Sequence, residues 1–554
     1  MDSVKSVVRR LLPKGTGARR SYAHAPAWPP DLFAVAATLV NLSGCYAQAE
    51  YQCGLDGCLF DEAYREYVSD VGLRFSNGEA PPPEVQQAWT RLLSSRGQIL
   101  AEPGERLDWW NDALFLLAVA DEACTGVGFA FLGFQRAALT VFAEYRRSQA
   151  RALGVRTGPA RLPYIPNSLC RAVPPHEVCV QPKTRTPQIG CTLRSLTHNL
   201  ALLPPVSEVK THWDFAAGHE DNSNEPLNVL LVPFPYNIRG TSFVARPTEE
   251  TSDSPRAAFF DLRQTWLDNV KSSDIVTFIQ DLIRDATREV ERVHAVVLPE
   301  AALTAEMAAS VAETLGKESD IELFVSGAID AEEGETPRNV TYSAIFKQRE
   351  VFGTWTQSKH HRWKLEETQV RRYHLGHVLG KKNAWWERIN VADRECHFYV
   401  FRHGASLAVL VCEDLARIDP VQTVVRAVGP NLVIALLMDG AQIERRWPGR
   451  YATVLADDPG SAVLTLTSVG LIRRSNMPSE RGACFIGLWK ESLGSARELE
   501  LPDGCHSLLL TISPSMEENV TADGRSDDKK TMKLSLTSII GLRHGNPPPW
   551  LNLV

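Results

Sequence analysis

Two apolar strand runs, residues 406–411 and 431–437 (each opened by one polar residue, Ser406 and Asn431), enclose a valine stripe at helical spacing: Val421, Val424, Val425 and Val428. Short runs of this kind are buried strands, and a 3.6-residue stripe between them is a helix with one face on the sheet. No other feature narrows the choice of fold as far, because a strand–helix–strand unit commits this half of the chain to α/β layers. Asp419 and Pro420 stand where the helix should open, as N-cap and first helical residue. Between the first strand and the helix come Cys412, Glu413 and Asp414. Such a turn lifts a thiol to the edge of the sheet beside free backbone N–H groups, the setting a cysteine nucleophile and its oxyanion pocket require. The plainer alternative is a core cysteine that ends a strand, since free cysteine is among the most buried residues.

Further charges occupy informative places. Glu300 follows the apolar run 294–299 and precedes a helix with Leu303, Met307, Val311 and Leu315 on one face. Its carboxylate is therefore expected at the mouth of the sheet, where α/β folds bind ligands. Residues 339–346 and 350–355 read as paired strands, and Lys359 begins a polar loop that runs to Glu367. Each of these charges taken alone is at home on the surface. In this order, with Cys412, they resemble the nitrilase, or carbon–nitrogen hydrolase, superfamily. Pro299-Glu300 matches that family's strand-ending pair, and an Asn-led hairpin from Asn339 ends at Lys359. Glu367 stands eight residues beyond the lysine, and Asp414 two beyond the cysteine. Gly429 precedes the next strand, and Trp447 and Arg450 fall where the family has a Trp and an Arg. The likeness spans residues 227–514. It departs from the pattern in a 53-residue interval from Lys359 to Cys412, with an insertion around Lys381-Lys382-Asn383-Ala384-Trp385-Trp386, and in Gly482-Ala483-Cys484 where a Gly-x-Ser segment is usual. Lys364 competes with Lys359 but lacks the position at the hairpin end.

The resemblance implies an α/β fold, a nitrilase-like α-β-β-α sandwich preceded by a mostly α-helical N-terminal domain. It also implies cleavage of a non-peptide C–N bond through a thioester on Cys412. In that reading Glu300 takes the thiol proton, Lys359 and the amide after Cys412 hold the oxyanion, and Glu367 orients Lys359 or holds the proton balance of the pocket. Glu413 and Asp439 would contact substrate. This chemistry asks for no metal and no cofactor. An amide is favoured over a nitrile, because Glu413 stands where true nitrilases usually have Trp. Cys412-Glu413-Asp414 together with Arg372-Tyr373 looks like the glutaminase domain of glutamine-dependent NAD synthetases. The chain has no Ser-Gly-Gly phosphate loop for a synthetase half, so an ammonia-supplying amidase serving another protein is a second reading. A third is a non-catalytic assembly or sensing module, since nitrilase-like domains occur in bacterial multi-gene systems, defence loci included.

At 554 residues the chain holds more than one domain's worth of core. Residues 1–160 read as helical, with helices at 31–43 (ending at Gly44), 84–96 and 108–152. Residues 161–226 are punctuated by proline and read as an extended connecting segment. Residues 515–554 form a tail with a strand at 532–540 and a rigid Pro547-Pro548-Pro549-Trp550 anchor, expected to contact a neighbouring subunit. Asp121-Glu122 reads as a helix–helix polar contact or a solvated pair, and Lys183, Arg185 and Arg194 as a solvated basic loop. The net charge of −7 argues against nonspecific binding to nucleic acid. Eleven scattered cysteines, among them Cys53 and Cys58 with no second pair to complete a zinc pattern, suggest a reducing, cytoplasmic setting. No run is apolar and long enough to span a membrane. The expected partners are a small amide or nitrile, a second copy of the chain through the polar face carrying Gln422, Thr423 and Arg426, and a protein on the N-terminal region.

Overall fold

The computed structural model describes residues 2–15, 21–48, 61–77, 80–100, 109–129, 164–165, 167–187, 192–215, 224–246, 257–380, 384–402, 404–476 and 482–551. Cys53, Cys58, the continuation of the helical region to 152 and the start of the insertion at 381–383 lie outside them.

The strand–helix–strand unit sits at the centre of an eight-stranded sheet. Its order is Tyr164–Ile165, Lys210–Phe215, Glu395–Arg402, Ala405–Val411, Leu432–Leu437, Ala462–Thr467, Phe485–Lys490 and Arg497–Glu500. Ala405–Val411, Leu432–Leu437 and Ala462–Thr467 run parallel. A second sheet contains Glu350–Ser358, Arg338–Lys347, Leu323–Asp330, Ala295–Val297, Leu227–Leu231, Ser507–Glu517 and Thr531–Leu542 in that order. The two sheets face each other. Leu407, Val409, Leu432, Ile434 and Leu436 of the first share a core with the second. Alternate residues Ala408, Leu410, Val433, Ala435 and Leu437 join the helical core on the other side. That period of two is what a strand buried on both faces requires.

Specific polar and aromatic contacts lock the sheets together. Trp355 Nε1 donates to Asp214 Oδ2 at 2.7 Å, and Tyr399 Oη donates to Ser343 Oγ at 2.9 Å. The Trp355 and Tyr399 rings stack with centroids 4.8 Å apart. Helices Ser272–Ala286 and Ala305–Glu318 cover the outside of the second sheet, and Thr423–Val428 and Trp447–Asp457 cover the first. The result is the four-layer α-β-β-α arrangement expected. Val421, Val424, Val425 and Val428 are all fully buried.

The N-terminal region is helical: Val4–Leu11, Pro29–Ser43, Glu62–Asn77, Pro83–Ser94 and Trp109–Glu122. Pro29–Ser43 ends at Gly44, whose φ of 68° is the left-handed conformation that glycine adopts without strain. These helices share one core with the outer face of the Cys412 sheet.

Several expectations are corrected. The α-helix after Cys412 is Thr423–Val428, preceded by a wider turn, Ile418–Gln422; Asp419 there has extended backbone (φ −95°, ψ 126°), the conformation of an N-cap, and its side chain pairs with Arg394 at 3.8 Å. The segment 161–226 does more than connect. Lys210–Phe215 adds a strand parallel to Glu395–Arg402, and the Cys179–Pro182/Leu200–Leu203 hairpin packs on the Thr423–Val428 helix. Lys183 and Arg194 are not solvated. Lys183 Nζ is buried against the carbonyls of Arg194 and Thr197, and Arg194 donates to the carbonyls of Ala427 (3.0 Å) and Val428 (3.1 Å). A guanidinium there satisfies the orphan carbonyls of a helix end.

Asp121 is neither solvated nor a helix–helix contact. It accepts the backbone N–H groups of His198, Asn199 and Leu200 at 2.7–3.0 Å, and Arg525 bridges it (3.4 Å) to Glu122 (2.6 Å). Thr531–Leu542 pairs antiparallel with Ser507–Glu517 of the same chain, and Trp550 packs edge-on to Phe234 and Phe278 at 5.9 Å. The face expected to pair two copies is partly exposed. Gln422 is buried, while Thr423 and Arg426 open onto a cavity of about 390 Å³ shared with Phe33 and Leu202. Among the described residues no helix is long and apolar enough to cross a membrane.

Candidate functional site

The second sheet delivers Glu300. Its strand Ala295–Val297 ends, the chain turns through Pro299, and Ala301 takes a φ of 55°. The neighbouring strand makes room with Gly327, whose N–H donates to the Pro299 carbonyl at 3.1 Å. A Cβ on Gly327 would lie 2.4 Å from Glu300 Cα. Glu300 is buried, with only 3% of its surface exposed.

The hairpin of the same sheet delivers Lys359. Lys359 N–H donates to the Asn339 carbonyl at 2.8 Å, continuing the ladder by one residue past Ser358. The Lys359 side chain is wholly buried and donates to Glu300 Oε1 at 2.8 Å and to Glu387 Oε2 at 2.7 Å. Asn339 Nδ2 donates to the same two carboxylates, at 2.8 Å and 2.9 Å. Glu387 ends the strand Ala384–Glu387 in a separate four-stranded sheet and also accepts the Trp363 N–H at 3.1 Å. One ammonium and one amide thus hold two carboxylates in fixed positions. Glu300 Oε2 is buried and has no hydrogen-bond partner among the described residues.

The first sheet delivers Cys412. The strand Ala405–Val411 stops, Cys412 takes a φ of 46°, and a single turn follows through Leu415. A non-glycine residue in the left-handed region is strained by about 1–3 kcal/mol, and such strain gathers at functional sites. Asp414 then ties this turn to the lysine loop. It is fully buried, accepts the His360 N–H with both oxygens at 3.1 Å, and lies 3.1 Å from His361 Nδ1.

The charges couple. Burial pushes the Cys412 thiol well above its ordinary range and the negative charge of Glu300 adds to this, while Lys359 and the Met438 backbone N–H oppose it. Burial raises Glu300, with Lys359 and Asn339 restraining the rise. Burial works against the Lys359 ammonium, but Glu300, Glu387 and Cys412 outweigh it and its pKa stands well above the usual lysine value. The thiol thus favours its protonated form and Lys359 its ammonium form, beside a Glu300 carboxyl group with one unengaged oxygen.

Of the residues expected here, the structure brings Glu300, Lys359 and Cys412 into one coupled cluster. Glu367 is not among them. It opens the helix Glu367–Arg372 with its side chain 53% exposed and paired with Arg371, so the carboxylate at the eight-residue spacing points into solvent. Glu387 occupies the place expected for it. The spacing rule failed because residues after Lys359 form a turn of helix and a further strand before the chain returns. The available signal was Trp385-Trp386-Glu387, where buried and half-buried residues alternate. Lys364 is half exposed and pairs with Glu366 at 2.7 Å. Glu413 is mostly buried and pairs with Arg417 at 2.6 Å. Asp439 is buried and accepts from Tyr373 Oη (2.7 Å), Arg446 (2.6 Å) and the Gly440 N–H (2.8 Å). Its Oδ2 has no hydrogen-bond partner among the described residues. Arg446, and not Arg450, makes this contact; Arg450 is exposed.

No protein-family model and no curated protein matches the chain. Solved structures similar to it include a glutamine-dependent NAD+ synthetase from Acinetobacter baumannii (12% identity, TM-score 0.32, covering 58% of this chain and 49% of that one). This chain therefore spans about half the length of that protein. Saccharomyces cerevisiae Nit3, a nitrilase-superfamily member, matches with 13% identity and TM-score 0.32 over 52% of this chain and 89% of its own. An amidase from Nesterenkonia sp. matches with 14% identity and TM-score 0.32 over 52% and 91%. Likeness this faint carries no chemistry across, and the reading that follows rests on the residues of this chain.

Proposed function

We propose that the protein is a divergent carbon–nitrogen hydrolase that cleaves a non-peptide amide through a thioester on Cys412. The observation that carries this is the buried Glu300–Lys359–Glu387 cluster, with one Glu300 oxygen unengaged, coupled to a cysteine held at positive φ. A raised thiol needs a base in the attack step, and the free oxygen of Glu300 is that base. As the Cys412 sulfur bonds to the carbonyl carbon, the thiol proton passes to Glu300. The carbonyl electron pair moves to oxygen, where the Lys359 ammonium and the Glu413 backbone N–H stabilise it more than in the ground state. Collapse breaks the C–N bond, and Glu300 returns its proton to the departing nitrogen. Water, deprotonated by the same carboxylate, then attacks the thioester, releasing a carboxylic acid and restoring the thiol. Glu387 holds Lys359 in place and is a positioning residue.

The test uses a panel of small amides, glutamine included, and short nitriles, with ammonia release and intact mass as readouts. At least one amide should release ammonia and add its acyl mass to Cys412. Cys412→Ala should show neither, with turnover down roughly 10³-fold or more. Turnover that survives in Cys412→Ala, or an acyl adduct on another cysteine, overturns the proposal.

A further inference from the structure

A second cluster lies on the parallel pair Lys210–Phe215 and Glu395–Arg402. His212 and His397 are direct cross-strand partners, and Glu395, two residues before His397, lies on the same face. The two imidazoles stack with centroids 4.5 Å apart and planes 13° apart. Glu395 Oε2 is 3.7 Å from Nε2 of each histidine, and one ligand-type atom from each residue falls within 4.8 Å of the others. Ligands about 2.0 Å from a tetrahedral ion sit roughly 3.3 Å apart, so small side-chain rotations close the set. Both ring nitrogens of His397 are buried and have no hydrogen-bond partner among the described residues.

Two imidazoles and a carboxylate are the ligand types that zinc-like ions take. Lys210, half exposed, reaches only the other oxygen, Glu395 Oε1, at 3.4 Å. The side chains keep 13–31% of their surface, so an ion has a way in.

We propose that His212, Glu395 and His397 bind a divalent transition-metal ion of the zinc type, with water completing the shell. The ion clamps the strand Lys210–Phe215 onto the sheet that carries Cys412. The clamp adjoins the lysine loop as well: His360, next to Lys359, has its Nε2 2.9 Å from the Glu395 carbonyl oxygen. A cluster of two histidines and a carboxylate without metal is the competing outcome.

The experiment takes the full chain, untagged, stripped with chelator and titrated with Co²⁺, followed by visible d–d absorption, by zinc content after reloading, and by thermal unfolding. One equivalent of Co²⁺ per chain, displaced by Zn²⁺ and accompanied by a higher Tm, is expected. Glu395→Gln and His397→Asn should each weaken binding about 100-fold or more while far-UV dichroism stays native. X-ray absorption of the zinc-loaded parent should show two imidazole ligands, which keeps the test decisive should a variant fail to fold. No stoichiometric metal, binding undiminished in both variants, or an ion without imidazole ligands overturns the proposal.

Discussion

Lys359 is a fully buried ammonium whose charge is balanced by two carboxylates, and that balance makes the residue-scale predictions sharp. Lys359→Met leaves Glu300 and Glu387 facing each other without a cation, and breaking a buried ion pair from one side costs about 3–5 kcal/mol. Chemical denaturation should show that loss. Glu387→Gln keeps a hydrogen-bond acceptor for the ammonium but removes a charge, and turnover should fall by at least tenfold with KM little changed. Glu367→Gln, on the exposed helix, should stay within about 0.5 kcal/mol and leave turnover intact. If Glu367→Gln is the damaging change, Glu387 is not the second glutamate. The pH profile follows from the same cluster. Glu300 must be ionised to accept the thiol proton, and its pKa is raised above 4.5 by burial. The acid limb of kcat/KM should therefore rise with pH at a midpoint above that value. Lys359 is raised, so its contribution to stability is complete below the ordinary lysine value of 10.5 and is lost only as pH climbs past it. It sets no alkaline limb in the working range. For Glu300 the raised pKa means that the folded state holds the proton more tightly, so its contribution favours folding below 4.5 and fades as pH rises through the raised value. An acid limb at or below 4.5 would rule out Glu300 as the base.

At the scale of elements, the site is assembled where strands end, and one glycine controls the fit. Gly327 lets the strand Leu323–Asp330 pass against the Glu300 turn, and an added Cβ would meet backbone atoms of Glu300 and Ala301 at 2.4 Å and 2.6 Å. No side-chain rotation relieves a clash with backbone. Gly327→Ala should cost about 1–3 kcal/mol and move the Glu300 carboxylate, lowering kcat along with Tm. A variant with native Tm and kcat would show that the turn has slack. The strands themselves were legible in the sequence, because apolar runs such as 295–299, 407–411 and 432–437 are buried on both faces and hold no polar residue. Glu300 and Cys412 were legible for the same reason, each standing directly beyond such a run, and Lys359 because it stands at the end of the hairpin that begins at Asn339. Glu387 was not, because its strand pairs in a small separate sheet with residues more than a hundred positions upstream. The His212–Glu395–His397 cluster was hidden too, since a parallel register between distant segments leaves no local spacing. Lys183 and Arg194 misled, because composition cannot distinguish a solvated cation from one buried against helix-end carbonyls.

At the scale of the whole molecule, the N-terminal helices and the Cys412 sheet close over a single core. Trp89, Trp109 and Trp213 are fully buried in the same cluster as Phe398, Leu410, Val411 and Val425. The strand Lys210–Phe215 lies inside the first sheet, where Asp214 receives the Trp355 hydrogen bond that pins one sheet to the other. Sequence reading set residues 1–160 apart as a domain preceding the hydrolase-like half. The shared core predicts instead that the half carrying Glu300, Lys359 and Cys412 does not stand alone. A fragment of residues 224–554 loses the partners of Phe398, Val400 and the hairpin-covered side of the Thr423–Val428 helix. The apolar patch laid bare would exceed the few hundred Å² that soluble monomers tolerate. Expression of that fragment should give aggregate, or a species that binds a hydrophobic dye and melts without a cooperative transition. The full chain should melt cooperatively. A soluble 224–554 fragment with a sharp melt and an amide-reactive Cys412 would show that the two halves fold independently, and that the N-terminal helices are an attached module.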